Sequence, residues 1–588
     1  MDSDFPLLES GSQVNHSTYF KEQIIFLFFN LTRKEDESSK LQLISVYRDL
    51  LILLKTELIN HRKDGYVDKD FKYLPYLDLA YKLVVNTRDI FHGKGEHDLF
   101  YRMIYELYNV FPTLAVFLLY QIKGYGCWRD IKYLCNYVQE YSVKKDQDGF
   151  INVCIELMNT QLKKDHDSWL YSVNAGSRNH ISNVAKWIPR EKKSFDWLFD
   201  RLVVHWSNHY CRWKIDSIDK NSPNYLSAFT KCKRHYRKVI SKMNKILDTT
   251  EIKQSARQWQ DIHPNHVSKY TVMKQPRLFL SNYYELEPTN TWAEMEFQVN
   301  KMHCSFKYVE KINYSSIPMK YSNHDIIQLP VSYFIKEGLR VLNLDSKERN
   351  TMKLRDILNK NWHLFSKNHP YKLNNILPMV DISYKMLEKD SESFYTGIGL
   401  SILVAERSSF GKRILALENT PVWINLENSN DFMSMMENIR EIIRSNQNTS
   451  FSFERGIDFL LEAFLGTKST IRNMRLLLFS NHFHKNIDMY YDYLQKQSAL
   501  LNINPPRIIF WNLSKVDLCD LPSQCENMIL LSGFSDSLLR YVKTFYGLND
   551  ENTEYSLICT SAYEMVDKIL NQKHYTIYSD YLKKCVST

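Results

Sequence analysis

Near residue 370 the chain changes its apolar rhythm, and no single fold class accommodates both parts. Before that point apolar residues recur at three- and four-residue spacing, as in LQLISVYRDLLILL, YLPYLDLAYKLVV and LFYRMIYELYNVFPTLAVFLLYQI. That is the period of helices burying one face. Pro112 falls between two such stretches, where one helix ends and the next begins. Past the breaker NHPYK at 368–372, the apolar residues collect into strand-length runs: ILPMVDI, RILALE, MRLLLFS, RIIFWNL and NMILLSGF. Helix-like segments such as YTGIGLSILVAER and FERGIDFLLEAFL lie between them. Alternating strand and helix predicts a parallel sheet covered on both faces. The expected architecture is multidomain, α followed by α/β. A polar tail (1–20) precedes an α-helical, HEAT-like repeat domain (21–368), and a doubly wound parallel sheet (369–588) follows. A chain of 588 residues is in any case too long for one core.

Only 16 glycines and 16 prolines interrupt the chain, which favours long helices with short connections. A net charge of +9 permits an anionic partner without demanding one. The ten cysteines form no C-x-x-C pair and no zinc-ligand spacing. With MDSDFPLLES lacking a basic leader region, they read as reduced intracellular thiols. The longest apolar runs, IIFLFF and LAVFLL, fall far short of the roughly 18–20 residues that span a bilayer. The expectation is a soluble cytoplasmic protein with no membrane partner and no cofactor.

VDISYKM, NTSF (448–451), LFSN (478–481), FWNL (510–513) and LLSGFS (530–535) occur in the order and context of a von Willebrand A domain. Together with TRDIFHGKGEHDLFYR (87–102), GYGCWRDI (124–131) and AKWIPREKKSFD (185–196), they resemble the domain-of-unknown-function 2828 family over roughly residues 40–545. That family has members in eukaryotes and giant DNA viruses and no established activity. It is distantly similar to the TROVE proteins, including the Ro autoantigen, whose ring of helical repeats is closed by a von Willebrand A domain and binds structured non-coding RNA. The resemblance implies a von Willebrand A-like sheet domain and a TROVE-like, RNA-binding helical part.

It also implies where a metal would sit. A working site of this type uses a D-x-S-x-S strand end, a threonine from a second loop and an aspartate from a third. Here Asp381 and Ser383 match, Lys385 replaces the second serine, Thr449 stands for the threonine, and Asn481 replaces the last aspartate. Magnesium requires a shell of hard oxygens with carboxylates to offset its charge. Lysine has three donors and no acceptor, and asparagine lacks the charge. The site is therefore read as degenerate, without metal. Lys385 is expected to take the cation's place beside Asp381, the alternative being a lysine pointing into water. His482 and His484 follow the same strand end without a clear role.

Two basic clusters stand out. KWIPREKK supplies Lys186, Arg190, Lys192 and Lys193 around Trp187, and KCKRHYRK supplies Lys231, Arg234 and Lys238 on one helical face, with Lys233 and Arg237 beside it and Tyr236 between. Cations neutralise phosphates and nearby aromatics stack on unpaired bases, whereas most charge runs are merely solvated faces. FHGKGE lacks the full phosphate-loop pattern and reads as a turn between helices. His205 and His209 share a helix face without a third ligand. No nucleophile–histidine arrangement emerges. The expected function is non-enzymatic: binding of structured or single-stranded RNA as a ribonucleoprotein scaffold. The alternative is a protein-interaction scaffold using the von Willebrand A-like domain.

Overall fold

The computed structural model describes residues 16–587 apart from 64–70, 142–146, 176–180, 213, 264–266, 268–270, 272–274, 280–290, 315–328, 345–348, 371, 384–385, 387–390, 446–449, 465–473, 484–486, 523–527 and 545–560. Its N-terminal part is helical, with His16–Asn30, Glu37–Lys63, Leu74–Arg88, Asp98–Val110, Pro112–Tyr120, Trp128–Tyr141, Gln147–Ala175, Asp196–Tyr210 and Pro223–Leu247 packed largely on their sequence neighbours. Pro112 opens a helix, as its fixed φ and missing N–H allow. Helix begins at His16 and Phe20 is fully buried, so the last residues of the expected tail open the first helix.

The C-terminal part holds a six-stranded sheet in the order β3-β2-β1-β4-β5-β6. The strands are β1 (Ile376–Asp381), β2 (Arg413–Leu417), β3 (Val422–Asn425), β4 (Arg475–Ser480), β5 (Arg507–Asn512) and β6 (Met528–Ser532). All neighbours pair in parallel except β3, a short antiparallel edge that the run-by-run reading did not anticipate. Side chains alternate between two cores, as a two-residue period requires. Val380, Phe479, Trp511 and Leu531 enter one core. Met379, Leu478, Phe510 and Leu530 enter the other. Both faces are buried, which is why these strands read as continuous apolar runs.

Contacts cross the expected boundary at 368 in both directions. The Val331–Leu342 helix lies on the Ser391–Ala405 helix so closely that a Cβ on Gly399 would meet Val331 Cγ2 at 2.4 Å. Trp362, in the Arg349–Lys367 helix, stacks on Phe432 with ring centres 4.6 Å apart. In the other direction, the Thr576–Ser587 helix returns to the N-terminal helices, where Tyr581 stacks on Phe117 at 3.8 Å.

The His16–Asn30 helix lies along the β6 edge and straddles both cores, with Leu27 and Phe28 in one and Ile25 and Phe29 in the other. An edge covered in this way offers no free strand to another chain. The turn at 91–96 sits between helices as its sequence predicts, yet its lysine is not idle. Lys94 is 3% exposed and donates to the Phe28 carbonyl and, at 2.7 Å, to Ser532 Oγ at the end of β6. Burial pushes its ammonium well below the usual lysine range, with Glu96 opposing that shift. Glu96 in turn accepts from Arg33, which also reaches Glu392.

Candidate nucleic-acid interface

The two basic clusters, some forty residues apart in sequence, border adjoining hollows that share Arg237, Ser241 and Lys245. Lys186, Arg190, Lys192 and Arg237 line one, Arg234, Arg237 and Lys238 the other, and Lys193 and Lys231 line neither. The Pro223–Leu247 helix forms one wall. Ser222 caps it by accepting from Asn224 N–H, and Asp248 ends it in the left-handed conformation. Its buried stripe, Cys232, Tyr236, Val239 and Met243, fixes which way its cations face. The turn Val184–Trp187 and the loop after it form the other wall, carrying Lys186, Trp187, Arg190 and Lys192. Between them lies a hollow of about 710 Å³ with an apolar floor that includes Ile188, Phe199, Ile240 and Ile252. A second hollow of about 430 Å³ is bordered by Arg234, Arg237, Lys238, Lys242 and Lys245.

These cations are not equivalent. Lys186 Nζ lies 2.8 Å from Glu251, Arg237 2.7 Å from Glu191 and Lys233 2.6 Å from Asp200. Arg190, Lys192, Lys193, Lys231, Arg234 and Lys238 are exposed and have no acidic partner among the described residues. Tyr236 corrects the sequence reading. It is fully buried and donates to Asn159 Oδ1 at 2.7 Å, so it offers no ring to a base. Trp187 is half-buried at the groove and remains available, with Lys186 5.7 Å from its ring. Lys242 and Lys245 were missed, although they continue the same helical face at three- and four-residue steps.

His205 and His209 stack at 4.1 Å, and burial, with His209 beside it, pulls His205 down to about 4. No cluster of three or more His, Cys, Asp or Glu side chains suited to a metal occurs among the described residues. No helix among them is long and apolar enough to cross a membrane.

The second site lies at the carboxyl edge of the sheet, where β1 and β4 run side by side and the strand order reverses. Open α/β sheets bind ligands in that crevice. Asp381 ends β1 and is fully buried. Its Oδ1 accepts from Ser383 N–H at 2.9 Å, and its Oδ2 accepts from Ser480 Oγ and from His482 Nδ1, each at 2.8 Å. The His482 ring stacks on Phe451 at 5.6 Å with planes 8° apart. Ser383 Oγ and Asn481 Oδ1 are buried without a hydrogen-bond partner among the described residues. Lys385, Thr449 and His484 lie outside the described residues. His482 is thus one partner of the carboxylate beside which Lys385 was expected. Among the described residues Asp381 meets three protein donors and position 481 carries a neutral amide, whereas a divalent ion needs anionic oxygens free to ligate.

The chain is 23% identical over 490 residues to "Uncharacterized protein L728" of Acanthamoeba polyphaga mimivirus, covering 79% of this chain and 76% of that protein. Among solved structures, that titled "Crystal structure of Deinococcus radiodurans RO (RSR) protein" aligns over 90% of this chain and 99% of that one, at 11% identity and a TM-score of 0.34, too low to carry an argument. Residues 375–579, the sheet-bearing part, match the model of a family described as "Domain of unknown function (DUF7788)".

Proposed function

We propose that this chain is a non-enzymatic RNA-binding protein, a ribonucleoprotein scaffold that holds structured or single-stranded RNA in the groove between the 184–193 segment and the Pro223–Leu247 helix. The observation that carries this reading is that two sequence-distant basic clusters border adjoining hollows, one of which also holds the half-buried Trp187. Several cations there lack acidic partners among the described residues, so phosphates would supply the missing counter-charge. The turn and helix that carry them are anchored by buried residues, which fixes the spacing of the cations before any ligand arrives. Fluorescence anisotropy with labelled RNA tests it: affinity should fall by orders of magnitude between about 50 and about 200 mM salt.

A second reading, a protein-interaction scaffold, draws on the crevice at the carboxyl edge of the sheet, where His482 and Phe451 are partly exposed. Binding of a protein partner that is insensitive to groove substitutions, with no RNA affinity, would favour it.

A further inference from the structure

We infer that the larger hollow of the groove takes one unpaired base from the bound RNA and prefers guanine. This rests on the RNA-binding reading and names the part of the ligand that the hollow recognises. The hollow, about 710 Å³, exceeds what one nucleotide fills, and its floor is apolar, a surface that a phosphate would not seek but a base plane would. Trp187 lines it and can stack on that plane. The paired bases of an A-form duplex are stacked inward and cannot enter such a hollow, so the ligand must present an unpaired nucleotide.

The polar group that selects among bases is Glu251, which lines the same hollow. Its Oε1 is engaged by Lys186 at 2.8 Å, while its Oε2 is buried with no hydrogen-bond partner among the described residues. A carboxylate is an acceptor only, and a buried oxygen without a donor is costly. Guanine alone among the four bases presents two adjacent N–H donors, N1–H and the exocyclic amine, on its pairing edge. Adenine and cytosine each set one amine beside an acceptor, and uracil sets one N–H between two carbonyls. Glu251 is half-exposed as a side chain, so its rotation would turn the unpaired oxygen toward such an edge. Lys186 orients the carboxylate, and Arg190 and Lys245 at the rim meet the flanking phosphates.

The test uses the full-length chain and three probes: a twelve-nucleotide oligouridylate, the same strand with one central guanosine, and that strand annealed to its complement. The guanosine strand should bind at least about tenfold more tightly than oligouridylate, the discrimination expected of one good base contact. The duplex should bind more weakly than either single strand. Glu251→Gln should bring the ratio of guanosine-strand to oligouridylate affinity close to one, whatever the absolute affinities, with an unchanged melting transition reporting that the variant is folded. Free GMP should compete only at far higher concentration than the oligomer, because it lacks the flanking phosphates. No guanosine preference, or equal binding of the duplex, overturns this inference while leaving the RNA-binding reading in place. GMP as potent as the oligomer also overturns it, assigning the hollow to a mononucleotide. Loss of all RNA binding at low salt instead removes the reading on which it rests.

Discussion

Asp381 and His482, 101 residues apart in sequence, meet at 2.8 Å at the carboxyl edge of the sheet. The aspartate is fully buried, and the imidazole supplies the N–H that faces its Oδ2. His482→Ala should therefore cost about 1–3 kcal/mol, the usual penalty for removing a donor from a buried acceptor. Lys385→Met should cost less, because Asp381 already has three donors. Urea unfolding of the two variants checks the order, and the reverse order would restore the lysine as the internal cation.

The docking of the Val331–Leu342 helix on the Ser391–Ala405 helix depends on Gly399. Gly399→Ala should destabilise by about 1–3 kcal/mol, the range for overpacking a close contact. Its Cβ would meet Val331 Cγ2 at 2.4 Å and the Val331 carbonyl at 3.3 Å. Gly124→Ala, where no atom lies within 4 Å, serves as the control and should be neutral or slightly stabilising. Equal melting temperatures for the two variants would mean that the helices do not pack as described.

Strands β1, β2, β4, β5 and β6 were legible because a parallel strand buried on both faces is a short continuous apolar run. The antiparallel β3 was not, since VWIN is short and its pairing is set by the turn before it. Residues 331–367 fell within the region expected to be helical, but that expectation does not name what covers their helices. Here the cover comes from beyond residue 390. In the groove, both clusters and their residue types were readable, whereas their convergence is a tertiary fact. Tyr236 could have been placed correctly, because Cys232, Tyr236, Val239 and Met243 form the buried stripe of their helix. His482 carried a weak signal, a histidine just past a strand end, and its partner is set by side-chain placement.

A histidine pair ties the C-terminal helices to the N-terminal part. His92 and His574 lie 4.3 Å apart, Arg540 bonds to His92, and Tyr575 donates to Asp89 at 2.9 Å. Burial first, then His92 and Arg540, pulls His574 down to about 4, and burial, then Arg540, lowers His92 against the pull of Asp89. Below the ordinary value of 6.5 the unfolded histidine binds a proton that the folded one does not, so the unfolded state holds more protons. This contribution is present above 6.5 and is lost as pH falls towards about 4. His574→Gln should reduce the loss in urea midpoint between neutral pH and pH about 5 relative to the parent chain, with His205 still contributing to the remainder. An unchanged pH dependence would remove His574 from the account.

The measurement closest to the central claim is RNA affinity after Arg190, Lys192 and Lys193 are changed together to Glu. All three are exposed, so melting should shift little. Affinity for a labelled single strand should fall at least about tenfold at moderate salt, and the slope of log affinity against log salt should become shallower as phosphate contacts are lost. An unchanged affinity and an unchanged slope in a folded variant would contradict the groove as the RNA site.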